Sequence, residues 1–266
     1  MTDLQSLEFV RLGEVAPDTF NVLLFGAPKS GKSTAAATAP GPIMWLNCEG
    51  AGALGFARKV AAERGNQILE VAMADGKNGR QISPMLHMVM DHLRQHPEIR
   101  SVVVDTIGKV REALAHELVQ QGSPKSIQQW GKVNDILTGF VRGLRDLPVN
   151  VVFLAHLDQV DDAEAGRSVR PLIGGKATEV VPGEVDVVAF TSPHQVDGQV
   201  RYVGQLVDGN GRTGLGDRSG GIRGELTYRE LDLTEWLARY REALTPQDDP
   251  FTPEASAELD LEAATA

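Results

Sequence analysis

An α/β fold with a mostly parallel central sheet follows from three features of the sequence. First, Asn21-Val22-Leu23-Leu24-Phe25, Ile43-Met44-Trp45-Leu46, Ser101-Val102-Val103-Val104-Asp105 and Val149 to Leu154 are short, continuously apolar runs, the pattern of strands buried on both faces. Second, the stretches between them carry apolar residues at helical spacing, as with Met85, Leu86, Val89 and Leu93. Third, the first run leads into Gly26-Ala27-Pro28-Lys29-Ser30-Gly31-Lys32-Ser33-Thr34, which fits G-x-x-x-x-G-K-[ST] between a strand and a helix. Parallel strands cannot be joined by a hairpin and need crossovers, so this alternation specifies the sheet.

Residues 1 to 20 read as a lead-in arm or edge strand. A helix opens at Lys32 and breaks at Ala39-Pro40-Gly41-Pro42, and the next strand ends in Asn47-Cys48-Glu49-Gly50. Helices are expected over 53–64, 83–95, 107–121 and 126–147, with a short strand at Ile68-Leu69-Glu70-Val71. After the strand at 149–154 comes His156, then a charge-rich segment to Lys176 that reads as a loop. A strand over 185–190, a terminal hairpin with a strand over 200–207, a loop over 208–221 holding six glycines, and an amphipathic helix over 233–244 complete the body. One domain over 21–245 is the simplest division, with 246–266 as an acidic, disordered tail.

Composition limits the function classes. The net charge of -10 argues against coating nucleic acid through overall charge, so any such site must be local. Six of the acids lie in the tail, which has no Lys or Arg; without them the body carries about -4. A single cysteine, Cys48, excludes an internal disulfide framework, and no run approaches the ~18 apolar residues of a bilayer span. The expected setting is the cytoplasm, without membrane association.

The loop over 26–34 is a phosphate cradle. Its glycines let backbone N–H groups close on an oxyanion, Lys32 reaches the terminal phosphates, and the Ser33 hydroxyl offers one ligand to Mg2+. Asp105, closing an apolar strand, suits the acid that holds Mg2+ through water. The residue after it is Thr106, not a glutamate, so a base for the attacking water must come from elsewhere. Glu49, at another strand's carboxyl end, is a candidate base or water positioner, or else an acid that starts a helix. His156 could contact the terminal phosphate or serve as a structural histidine. Arg167, Arg170 and Lys176, around Gly174-Gly175, would suit a single-stranded backbone, though a plain surface loop is the other reading. Arg212 and Arg218, on the glycine-rich loop, could reach a neighbouring subunit's phosphates or simply be solvated. His92 and His96 read as a solvated helix face rather than half a zinc site.

With these residues the chain resembles the RecA-like ATPases, most closely the small phage-encoded single-strand annealing and recombination ATPases, over roughly residues 20 to 235. The resemblance is carried by the 26–34 loop, Asn47-Cys48-Glu49-Gly50, Val102-Val103-Val104-Asp105-Thr106, Phe153-Leu154-Ala155-His156 and Gly216-Asp217-Arg218. It implies a three-layer P-loop NTPase fold with a C-terminal hairpin, and ATP and Mg2+ held at Lys32, Ser33 and Asp105. It further implies Glu49 as catalytic acid/base, His156 as coupling residue, a DNA-contacting element after it, and homo-oligomers with nucleotide between subunits, working in a bacterial cytoplasm alongside single-strand-binding or replication proteins. Relatives often carry Lys-x-Arg as a trans-acting finger; here Gly216 replaces the lysine and Arg218 stands alone. The expected activity is ATP hydrolysis coupled to single-stranded DNA binding or annealing. The alternatives are an ATP-dependent loader of a replication helicase and a non-hydrolysing nucleotide-gated module.

Overall fold

The computed structural model describes residues 18–50, 52–77, 80–120, 127–162, 166–207, 214–222 and 228–245. The lead-in arm (apart from residues 18–20), the acidic tail and Arg212 lie outside these residues, as does the side chain of Arg167.

The strands are β1 (Asn21–Gly26), β2 (Ile43–Asn47), β3 (Ile68–Ala72), β4 (Ser101–Asp105), β5 (Asn150–Asp162), β6 (Gly166–Leu172), β7 (Val187–Val196), β8 (Gln199–Gln205), β9 (Gly216–Asp217) and β10 (Tyr228–Glu230). The helices are α1 (Lys32–Ala36), α2 (Gly55–Glu63), α3 (Ser83–Gln95), α4 (Ile107–Gln120), α5 (Ile127–Arg145), α6 (Ala177–Gly183) and α7 (Leu233–Leu244). One sheet runs in the order β10-β8-β7-β1-β5-β4-β2-β3, with β6 on β5 and β9 on β7. From β7 to β3 every pairing along this path is parallel; β8 returns antiparallel on β7, forming the expected terminal hairpin.

Period-two alternation sorts the strand side chains into two cores. Val22, Leu24, Trp45, Val103 and Val152 face α1, α2 and α7, where Ala35, Ala57, Trp236 and Leu237 meet them. Leu23, Phe25, Leu46, Val104 and Phe153 face α3 to α6, meeting Leu86, Leu114, Leu137 and Val181. Both faces are thus covered, which is why the runs are apolar throughout and why the molecule has three layers. None of the described helices is long and apolar enough to cross a membrane.

Three polar ties fix where the layers end. Helix α1 has only five residues, too few to persist alone. It is held where Thr38, just past it, takes the Leu233 N–H on its hydroxyl (2.7 Å) and the Thr234 hydroxyl on its carbonyl (2.6 Å), docking α7. At the amino end of β1, Asp186 accepts from the Asn21 backbone N–H (2.9 Å). At the start of α3, Glu117 is buried and accepts from Ile82 N, Ser83 N and the Ser83 hydroxyl at 2.7, 3.0 and 2.7 Å, capping a helix whose preceding residue is the apolar Ile82.

Two expectations fail. The segment from Asp158 to Lys176 is not a loop: β5 continues six residues past its last pairing with β1 at His156, pairing antiparallel with β6 from His156↔Leu172 to Asp162↔Gly166. Its charged residues are compatible with a strand because, while Leu157 and Val169 pack against the core under α3 to α6, charged neighbours pair across the ribbon, as Arg170 does with Asp158. The residues after it form α6, a helix absent from the sequence reading.

Candidate functional site

Parallel strands deliver their carboxyl ends to one edge, and Gly26, Asn47, Asp105 and His156 arrive there together. After Gly26 the chain turns, with Ser30 N–H donating to Ala27 O (3.2 Å), so that Ala27, Pro28 and Lys29 form an exposed lip. Lys29 and Gly31 have positive φ (64° and 93°), which turns backbone N–H groups toward the loop interior. Gly26 must be glycine: a Cβ there would lie 2.4 Å from the Thr191 hydroxyl, which in turn meets the Ser30 hydroxyl at 2.6 Å. Strand β7 thus braces the loop from beneath. Lys32, the first residue of α1, spans the loop, donating to Gly26 O and Ala27 O at 2.8 Å each. Ser33 and Thr34 follow on the first turn, half-buried.

The Ser33 hydroxyl donates to Asp105 Oδ2 at 3.4 Å. Asp105 is buried, and burial followed by the nearby charge of Glu49 pushes its pKa up to about 6; Lys32 and Ser33 act in the opposite direction. The Trp45 indole N–H also opposes the shift, although it is buried and has no partner in hydrogen-bonding geometry. Lys32 itself is held below the usual lysine value by burial, against the pull of Asp105 and Glu49. Burial, then Asp105 and Glu49, also pushes the neighbouring Cys48 thiol up to about 12, so it is inert as a nucleophile.

Glu49 is placed by a turn the sequence already contains. The Asn47 side-chain oxygen accepts from Glu49 N (2.9 Å) and Gly50 N (3.2 Å), while its amide donates to Gly50 O (2.9 Å) and Glu70 (2.8 Å). Two side chains then share one oxygen of Glu49: Thr106 Oγ1 donates to Oε1 at 3.1 Å, and His156 Nε2 meets the same atom at 3.2 Å. The carboxylate is therefore aimed by its neighbours while its other oxygen has no protein donor among the described residues. A water positioner needs this arrangement.

Lys32, Ser33, Asp105, Glu49 and His156 are brought together; four other candidates are not. Arg218 lies on the opposite edge of the sheet. It follows β9, whose Asp217 pairs with Val187 at the amino end of β7, and its guanidinium bonds Gly183 O and faces Asp186 at 3.6 Å. It cannot reach the phosphates of its own loop. Arg170 sits on the ribbon and is paired with Asp158 at 2.8 Å. Lys176 precedes α6, and Arg167 is opposite Asp161 in the ribbon register. Sequence reasoning missed Thr106, Asn47 and Thr191. Asn47 and Thr106 had a visible signal, an asparagine two residues before Glu49 and a hydroxyl directly after Asp105; Thr191 had none.

The residues present suit a nucleoside triphosphate with Mg2+: a glycine-permitted cradle, a lysine across it, and a hydroxyl and carboxylate converging as hard oxygen donors. Among the described residues no cluster of three or more His, Cys, Asp or Glu exists to hold a metal without such a ligand. The fold and this edge define a P-loop nucleotide-binding ATPase domain. The chain belongs to the AAA domain family, which matches residues 19–215. Among solved structures it is similar to a KaiC-like protein from the hyperthermophilic archaeon Pyrococcus horikoshii OT3, at 13% identity and a TM-score of 0.41, over 70% of this chain and 77% of that one. No curated protein matches it.

Proposed function

We propose that this domain hydrolyses ATP and couples its nucleotide state to binding or annealing of single-stranded DNA, as in phage-type recombination or replication. The carrying observation is the shared Glu49 oxygen. Through it the water-positioning carboxylate is bonded to His156, the residue at which β5 leaves the nucleotide edge and enters the β5–β6 ribbon. A change at the terminal phosphate that draws Glu49 or its water away must therefore alter the hydrogen bonding at the root of the ribbon.

In this reading the loop N–H groups and Lys32 hold the phosphates, and Glu49 takes a proton from the attacking water. Thr106 and His156 keep that carboxylate in one orientation. Mg2+, held through Ser33 and Asp105, supplies charge neutralisation when bound. Self-association belongs to the reading, but Arg218 is occupied by Asp186 and Gly183 and is not needed for it.

The test is steady-state ATP hydrolysis with and without single-stranded DNA at two salt concentrations, with Lys32→Ala as the blank. Turnover stimulated by DNA, and less so in high salt, is expected. Lys32→Ala that binds and turns over ATP normally would remove the nucleotide assignment; turnover indifferent to DNA would favour a protein partner such as a replication helicase.

A further inference from the structure

Next to the nucleotide edge, and sharing Thr106 and His156 with it, a cleft of about 650 Å³ opens between α4, α5 and the root of β6. Lys77, Lys109 and Arg111 line it against a single acid, Glu112, which Lys109 meets at 3.0 Å and would leave to take a phosphate, in a chain whose net charge is -10. Its walls are apolar, with Trp130 on α5 and the half-exposed Leu172 at the end of β6.

The centre of the cleft is a stacked pair. The guanidinium carbon of Arg111 lies 4.8 Å from the centre of the Trp130 ring. Its Nε donates to the neutral Asn134 side chain at 3.4 Å, and no carboxylate acts on it: burial alone lowers its pKa. A half-buried arginine whose partners are an indole and an amide keeps its charge for an anion. Gly174 and Gly175, both at positive φ (102° and 55°), close over it; a Cβ on either would lie 2.8 Å from an Arg111 nitrogen. The root of the ribbon is thus shaped around this guanidinium.

We propose that the cleft is the seat of single-stranded nucleic acid, with the Arg111–Trp130 pair as the platform on which a base stacks and Lys77 and Lys109 taking backbone phosphates. The proposal rests on the DNA-coupled reading above and relocates its contact from the ribbon arginines to the cleft at the ribbon's root. An aromatic plane, a planar cation and flanking lysines beside apolar walls are the combination that holds unpaired bases without regard to sequence. A cleft of this size has room for one or two nucleotides.

The three tryptophans make the test direct. Trp45 and Trp236 are fully buried, whereas Trp130 is half-buried, so a change in intrinsic emission on binding reports Trp130. The full chain is titrated with an oligodeoxythymidylate, read by tryptophan emission and independently by anisotropy of a labelled oligonucleotide. ATP binding serves as the folding control. Quenching is expected in the wild type. Trp130→Leu should lose it and bind the oligonucleotide about ten- to a hundredfold more weakly, the loss of one stacking platform, with ATP affinity retained. Lys77→Glu, at an exposed position, should weaken binding and reduce its salt dependence while leaving the quench at saturation. If both variants bind DNA like the wild type, nucleic acid lies elsewhere and this inference falls while the proposed function stands. Should the wild type bind ATP but no single strand, both fall. Quenching by a mononucleotide alone, with no oligonucleotide preference, would make the cleft a small-molecule site and overturn the proposal.

Discussion

Replacing Asp105 by asparagine should stabilise the ligand-free protein, and by an amount that depends on pH in a defined direction. Asp105 is 4% exposed, and its carboxyl titrates at about 6 instead of 3.8, with burial the larger cause and Glu49 the second. At about 1.4 kcal/mol per pH unit, that gap is a penalty of about 3 kcal/mol on the ionised native state. The folded state holds the proton more tightly than the unfolded chain between these two values. Stability is therefore fully retained below about pH 4, falls as pH rises toward 6, and stays reduced above it. Asparagine carries no charge and can still accept from Ser33, so it escapes the penalty. Urea unfolding without nucleotide or Mg2+ should show Asp105→Asn more stable than wild type at pH 8, with the advantage shrinking by about 2 kcal/mol at pH 4. An advantage that is the same at both pH values, or a variant less stable at pH 8, would refute the claim that this carboxylate is held ionised against its surroundings.

Removing the hydroxyl that aims Glu49, with Thr106→Val, should lower ATP turnover about tenfold while leaving ATP affinity unchanged; an equal loss of affinity would mean that Thr106 supports the cradle instead. Truncating the buried cap of α3, with Glu117→Ala, leaves three donors without their acceptor and should cost about 3 kcal/mol in urea unfolding; a loss below about 0.5 kcal/mol would show that water satisfies them.

The elements with a single strong signal were legible in the sequence. The helix expected over 83–95 and the one over 233–244 match α3 and α7, because apolar periodicity marks both. The phosphate loop, Asp105 and Glu49 were legible because each is a particular residue at the carboxyl end of an apolar run. The ribbon was not. Beyond His156 only isolated residues such as Leu157 and Val169 reach a core, so burial leaves no sustained period, and the register rests on cross-strand pairs such as Asp158 with Arg170, which lie twelve residues apart. Helix α6 was missed because Pro182 lies inside it. Arg218 was read as a finger acting on a neighbouring subunit; within its own chain its position is set by Asp186, thirty-two residues earlier, and no local pattern reveals such a partner. Trp130 gave no signal of its own in the helix expected over 126–147, because its guanidinium neighbour comes from α4.

Strand β5 belongs to two mechanical regimes. Its first half is clamped between β1 and β4, with Asn150 through Ala155 hydrogen-bonded on one or both sides; its second half leaves the sheet and has β6 as its partner. His156 is at the fulcrum. From there to Asp162 is about 20 Å of extended chain at ~3.3 Å per residue. A rotation of about 10° at the histidine therefore carries the tip of the ribbon 3 to 4 Å, roughly the rise of one residue along a strand. A displacement too small to disturb the sheet becomes, at the far end of this arm, a step of one structural repeat.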